Sequence, residues 1–217
     1  MNDEFDKLAN GLVACMNSLG EMGLNSGRAG NVSVRLDQKS FLITPSGIHP
    51  RDLTQHQIVE LQLTDAEPPT DAVPSSEWRM HRDILQSYNG INAIVHTHSN
   101  AATAVACLRQ SIPAFHYMIA VAGGDSIECA PYAVFGSQQL SEYVVRALDG
   151  RRACLMENHG LIATGTTIEE AVDLALEVEQ LATQYLMCLN VGKPTILDEQ
   201  EMKTVLEKFK DYGKRTG

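Results

Sequence analysis

The stretch Ile91–Ser99, INAIVHTHS, constrains this chain more than any other. It reads as an apolar strand whose end presents two imidazoles, His96 and His98. Side chains two apart on a strand share a face, so both rings point one way and Thr97 points the other. Two nitrogens on one rigid edge make half of a first-row metal site, and neutral imidazole suits Zn²⁺. Histidines also end strands as ordinary polar residues. The chain must therefore supply a third ligand, a base and a substrate pocket elsewhere.

Apolar periodicity gives the frame. Phe5, Leu8, Leu12, Val13, Met16 and Leu19 repeat with helical spacing, and Gly20 and Gly23 end the helix. VSVRL and FLIT alternate as two short strands around Asp37–Ser40, and 58–63 reads as a third. Residues 64–75 are a Pro-rich loop. Ser75 or Ser76 is expected to cap the helix EWRMHRDILQSY, which Asn89-Gly90 closes ahead of the opening strand. Helices are expected over 99–109, 137–148, 168–190 and about 198–212. Strands are expected at 127–130, ACLMEN and GLIATG, and an apolar segment, HYMIAVAGG, precedes them after the 99–109 helix. Several strands sit too close in sequence for crossover connections. The pattern predicts a layered α/β or α+β domain with a mixed or antiparallel sheet.

The net charge of −10 argues against nucleic acid as a partner. It leaves room for a small phosphorylated substrate held by local donors. Five scattered cysteines are odd in number and form no CxxC pair, which predicts reduced, buried thiols and a cytoplasmic protein. The N-terminus MNDEFDKL has no signal-peptide pattern. No apolar run approaches the roughly 20 residues a membrane helix needs.

His159, in Glu157-Asn158-His159-Gly160, is the candidate third ligand. It sits at a strand junction, and the glycine after it permits close backbone approach. Three imidazoles would leave a coordination position open, as catalytic zinc requires. His49, His56 and His81 read as surface residues or as supports behind the ligands. Glu77 is the candidate base; an acid in a first helical turn is also favoured simply by the helix dipole. GNVS at 30–33, Ser46-Gly47 and Ser75-Ser76 offer neutral donors in three turns. Each is also an ordinary turn or cap, and together they suit one phosphate monoester. No GxxxxGK[ST] loop for a nucleoside triphosphate occurs.

These residues resemble a known family. GNVSVR at 30–35, TPSG at 44–47, SSEWRMH at 75–81, VHTHS at 95–99, IPAFHYMIAVAGG at 112–124, CAPYAVFG at 129–136, NHGLIA at 158–163 and LEKFKDYG at 206–213 run in order along the whole chain. They resemble class II aldolases of the fuculose-phosphate aldolase group, in the superfamily that also holds ribulose-phosphate 4-epimerase. The resemblance implies a three-layer α/β/α fold around a mainly antiparallel sheet, as one domain over 1–217. It implies a homotetramer with active sites at subunit interfaces and one Zn²⁺ per subunit. His96, His98 and His159 would bind the metal. Glu77 would hold the fourth position and then act as acid/base. Asn31, Ser46, Gly47, Ser75 and Ser76 would hold the substrate phosphate. Tyr117 would come from the neighbouring subunit to exchange a proton with the aldehyde oxygen, and Phe135 and Tyr212 would line the aldehyde side. One departure is visible: Asn158 stands where such sequences often carry His.

The implied reaction is reversible cleavage of a ketose 1-phosphate, L-fuculose 1-phosphate or an analogue, into dihydroxyacetone phosphate and an aldehyde such as L-lactaldehyde. The implied setting is fucose degradation. No lysine lies in these motifs to form a Schiff base instead. Alternatives within the fold are an aldolase for a 5-deoxy- or 5-methylthio-pentulose 1-phosphate, a sugar-phosphate epimerase and a methylthioribulose-phosphate dehydratase. The epimerase branch resembles this one but carries Asp at the place of Glu77. A different class is a non-catalytic module like the adducin head, which has lost the metal ligands that this chain keeps.

Overall fold

The computed structural model describes residues 3–209. Helix α1 (Asp3–Glu21) buries Leu12, Met16 and Leu19, and places Asp3, Glu4 and Asp6 in its first turn, where the helix dipole favours acids. Strands β1 (Asn31–Arg35) and β2 (Ser40–Ile43) form a hairpin, and β3 (Val59–Gln62) pairs antiparallel with β2. Asp37 shapes the hairpin turn by accepting the Lys39 and Ser40 N–H groups. Helix α2 (Trp78–Ser87) precedes β4 (Ala93–Thr97), the strand that carries His96. After α3 (Asn100–Cys107), β5 (Ile112–Pro113) pairs with β6 (Ser126–Ile127) in a small ribbon. Then come β7 (Cys129–Ala130), α4 (Gln138–Ala147), β8 (Ala153–Met156), β9 (Gly160–Gly165), α5 (Ile168–Val191) and α6 (Glu199–Phe209).

The main sheet has seven strands in the order β3-β2-β1-β4-β9-β8-β7, antiparallel except for β7 beside β8. Alternation along β4 and β9 sends neighbours to opposite faces. Val95 and Leu161 join a core with α1, α3, α5 and α6, while Ile94 and Ile162 join a core with α2 and α4. The result is the three-layer α/β/α arrangement with both cores sharing one sheet.

Several local details differ from the sequence expectation. Ile127–Ala130 is not one strand. It splits into β6 in the ribbon and β7 in the main sheet. Tyr117–Ala122 is a 3₁₀ helix that His116 caps and Gly123 ends in the left-handed region. All five cysteines are free as expected, but only Cys15 and Cys154 are buried, and Cys107 is exposed. No helix among the described residues is long and apolar enough to cross a membrane.

Candidate active site

β4 lies at the middle of the sheet, so its C-terminal end is held from both sides. Asn31 of β1 pairs with His96, and Thr97 pairs with Leu161 of β9. Two glycines make this close packing possible. A Cβ on Gly30 would fall 2.6 Å from the His96 carbonyl oxygen, and one on Gly160 would fall 2.4 Å from that of Thr97. Beyond β4, Glu179 of α5 accepts the first free N–H groups of α3, from Ala101 and Ala102, at 2.8 Å each. The His96-x-His98 edge is thus fixed at its start, its flanks and its exit.

His159 reaches the same point from the turn between β8 and β9. Asn158 before it adopts φ 54°, a left-handed conformation that Asn tolerates better than most residues. Arg109 donates to the Asn158 side-chain oxygen at 2.9 Å and holds the turn. The departure from His to Asn at 158 therefore suits the backbone and leaves the following imidazole in place.

The three rings meet nearly edge to face, with centroids 4.8 to 5.0 Å apart. One nitrogen from each lies within 4.8 Å of the others, a set able to hold a metal ion. His96 donates through Nδ1 to the Leu161 carbonyl at 2.9 Å, which turns Nε2 into the site. That Nε2 lies 3.0 Å from His98 Nε2.

Glu77 is the N-cap residue of α2, but its side chain caps nothing. Neither serine is the N-cap residue; Ser75 instead accepts the Glu77 N–H through its hydroxyl. The Glu77 carboxylate turns inward instead. Oε2 lies 3.2 Å from His96 Nε2, and Oε1 lies 3.3 Å from His159 Nε2. Burial alone would raise the Glu77 pKa, but the charge and hydrogen bond of His96, then His159 and Asn31, hold it well below the ordinary carboxylate value. Conversely, burial lowers the His96 pKa, and Glu77 and the Leu161 carbonyl lift it above its usual value. Loss of solvent and the charges of neighbouring imidazoles push His98 and His159 down to about 4. Both are neutral at pH 7 and need shed no proton to become ligands.

The donor set fits a divalent metal. Three imidazole nitrogens and a buried carboxylate converge, and Glu77 Oε1 has no hydrogen-bond partner among the described residues. Nitrogen and oxygen donors in this number suit zinc-type chemistry.

Glu77, His98 and His159 border a cavity of about 360 Å³. Asn31, Ser46, Gly47, Ser75, Ser76 and Phe135 also line it, so the structure brings together the expected phosphate-side residues and Phe135. Tyr117 is half exposed and lies outside its own chain's cavity. Tyr212 lies outside the described residues. Arg28 and Tyr132 line the cavity too and escaped the sequence reading; Arg28 is the only Lys or Arg around it among the described residues. The place of Arg28 in the polar turn before GNVS was the available signal.

A buried carboxylate among three imidazoles, opening onto a polar cavity in a three-layer fold, defines a class II aldolase-type centre. The chain belongs to that family. The family model described as "Class II Aldolase and Adducin N-terminal domain" matches residues 10–186. An L-fuculose phosphate aldolase of Escherichia coli K12 is 48% identical over 213 residues, 98% of each chain. A 5-methylthioribulose-1-phosphate/5-deoxyribulose-1-phosphate aldolase of Rhodospirillum rubrum is also 48% identical, over 95% of this chain and 92% of the relative. A solved L-fuculose 1-phosphate aldolase superimposes with a TM-score of 0.89 at 38% identity, covering 94% of this chain and 96% of that one. The protein is an enzyme of the aldolase branch.

Proposed function

We propose that this aldolase reversibly cleaves a ketose 1-phosphate into dihydroxyacetone phosphate and a small aldehyde, with Zn²⁺ held by His96, His98 and His159. The reading rests above all on the convergence of these imidazoles with Glu77 at the cavity edge. It takes residues 1–217 as one domain, which the shared sheet supports.

When bound, the ion supplies Lewis-acid stabilisation of the negative charge that bond cleavage leaves on the dihydroxyacetone phosphate half. The chain does the rest. Ser46, Gly47, Ser75 and Ser76 line the cavity as donors for the phosphate, and Arg28 adds a cation to the same lining. Asn31 faces both this cavity and Glu77. Fixing the phosphate away from the breaking bond orients the substrate. Glu77 then moves a proton at the carbon beside the carbonyl, through a carboxylate oxygen that makes no other hydrogen bond. Phe135 lines the open end and meets the aldehyde. Tyr117, half exposed, serves the aldehyde oxygen of a neighbouring subunit in a homotetramer.

L-Fuculose 1-phosphate and its 5-deoxy- or 5-methylthio-pentulose counterparts share the phosphorylated half and differ in the aldehyde. Relatives at equal identity carry each name. The test is condensation of dihydroxyacetone phosphate with L-lactaldehyde, acetaldehyde and methylthioacetaldehyde, with unphosphorylated dihydroxyacetone as a control for the phosphate site. We expect metal-dependent product, a steep preference for the phosphorylated donor, and one aldehyde leading in kcat/KM. No product with any aldehyde would defeat the reading. In the same assay, Tyr117→Phe should slow carbon–carbon cleavage while leaving solvent exchange of the dihydroxyacetone phosphate proton intact. An unchanged cleavage rate would remove Tyr117 from the reaction.

A further inference from the structure

Behind Glu77 runs a chain of buried polar groups that proton transfer by a carboxylate does not itself require. Asn31 donates through Nδ2 to Glu77 Oε2 at 3.0 Å. The Asn31 oxygen faces His81 Nε2 at 2.5 Å, and His81 Nδ1 lies 2.7 Å from the Ser33 hydroxyl. His81 and Ser33 are fully buried, and Asn31 nearly so. The geometry follows from two periodicities. Asn31 and Ser33, two apart on β1, share a face, and His81, four residues after Glu77, lies on the same side of α2.

The direction of every proton in this chain can be derived. An ionised carboxylate only accepts, so Asn31 must turn its NH₂ group toward Glu77. That leaves the Asn31 oxygen, which also only accepts, facing His81, so Nε2 of His81 carries a hydrogen. Complete burial, and then the charge of His96, hold the His81 pKa down to about 3, so the ring is neutral and Nδ1 is bare. The Ser33 hydroxyl donates to it. Asn31 has a second N–H and also lines the cavity, so the same orientation presents a donor to a substrate oxygen.

We propose that His81, held by Ser33 as the Nε2–H tautomer, is a positioning residue that locks the Asn31 amide with its NH₂ group toward Glu77 and the cavity. This inference rests on the reading of Glu77 as the acid/base. Without His81, the amide can turn over and set its oxygen against the carboxylate. Glu77 then leaves its place beside His96 and His159.

Two readouts test it on the full-length, metal-loaded protein. The first needs no turnover: long-range ¹H–¹⁵N correlation of the His81 ring. A protonated Nε2 and bare Nδ1 are expected from mildly acidic to mildly alkaline buffer, and Ser33→Ala should mix the tautomers. An Nδ1–H or doubly protonated ring would overturn the proposal, even if no aldehyde were turned over. The second is kinetic. His81→Leu should lower kcat/KM about 10–100-fold, the range for residues that support a metal site from behind, at unchanged metal content. His81→Gln, which keeps a donor for Asn31, should recover most of that loss. If His81→Leu does not fold, Ser33→Ala, which deletes one hydroxyl, decides: kcat should fall several-fold. Full activity in a folded His81→Leu or Ser33→Ala protein would overturn the proposal.

Discussion

His98→Ala is expected to lose its bound metal and, with it, all measurable aldol cleavage, while staying folded. The reason lies in where the three imidazoles sit. His96 is fully buried and also holds the β9 strand through Leu161, so removing it would disturb both the site and the sheet. His98 lies past the strand end and is exposed, so its ring can be deleted without opening a core cavity. Its backbone N–H still donates to Asn25, which keeps the loop in place. Losing even an outer support of a metal ligand typically costs about 10–100-fold in affinity. Losing one of the three imidazole ligands outright should cost more than that. Elemental analysis after dialysis, together with the cleavage assay and a melting curve, checks the result. A variant that kept one metal per chain and its activity would show that His98 is not a ligand.

The His-x-His edge was legible in the sequence because strand alternation is a strict rule: two residues apart must share a face. Gly160 was legible for a related reason, since it follows the candidate ligand His159; Gly30 was read only as part of a turn, because its contact with the His96 carbonyl appears only once β1 pairs with β4. Glu77 was harder to read. As an acid near a helix start it could have been serving the dipole; only its position as N-cap residue, with Ser75 taking its N–H, turns the carboxylate toward the imidazoles. His81 was left open between a surface residue and a support behind the ligands, because one helix does not reveal which of its faces meets the sheet. The i, i+4 spacing from Glu77 held the missing signal, since it ties the two residues to one face. The split of 127–130 between two sheets left no trace at all. Strands of two residues have no period, and their pairing is set by β8 and the ribbon rather than by their own side chains. Arg28 stands apart for a different reason: a cation in a polar turn looks like ordinary surface until the fold closes the turn over a cavity.

Glu77→Gln is the variant expected to separate binding from chemistry. The amide has nearly the shape of the carboxylate, so the cavity and its phosphate donors should be preserved. Asn31 can still donate to the remaining oxygen. What disappears is the capacity to accept and return a proton. Positioned acid/base groups contribute about 10²–10⁴ to rate, so kcat should fall by that order while the affinity for dihydroxyacetone phosphate changes little. The proton step can be isolated by omitting the aldehyde. Dihydroxyacetone phosphate incubated in deuterated water should exchange its proton with the wild-type enzyme and with Tyr117→Phe, but not with Glu77→Gln. This contrast places the two proton transfers on two different residues. It also removes metal loss as an explanation, provided elemental analysis finds the ion in all three proteins. Wild-type exchange by Glu77→Gln would mean that the proton leaves by another group, and His159, 3.3 Å from Glu77 Oε1, is then the nearest ring that must be tested.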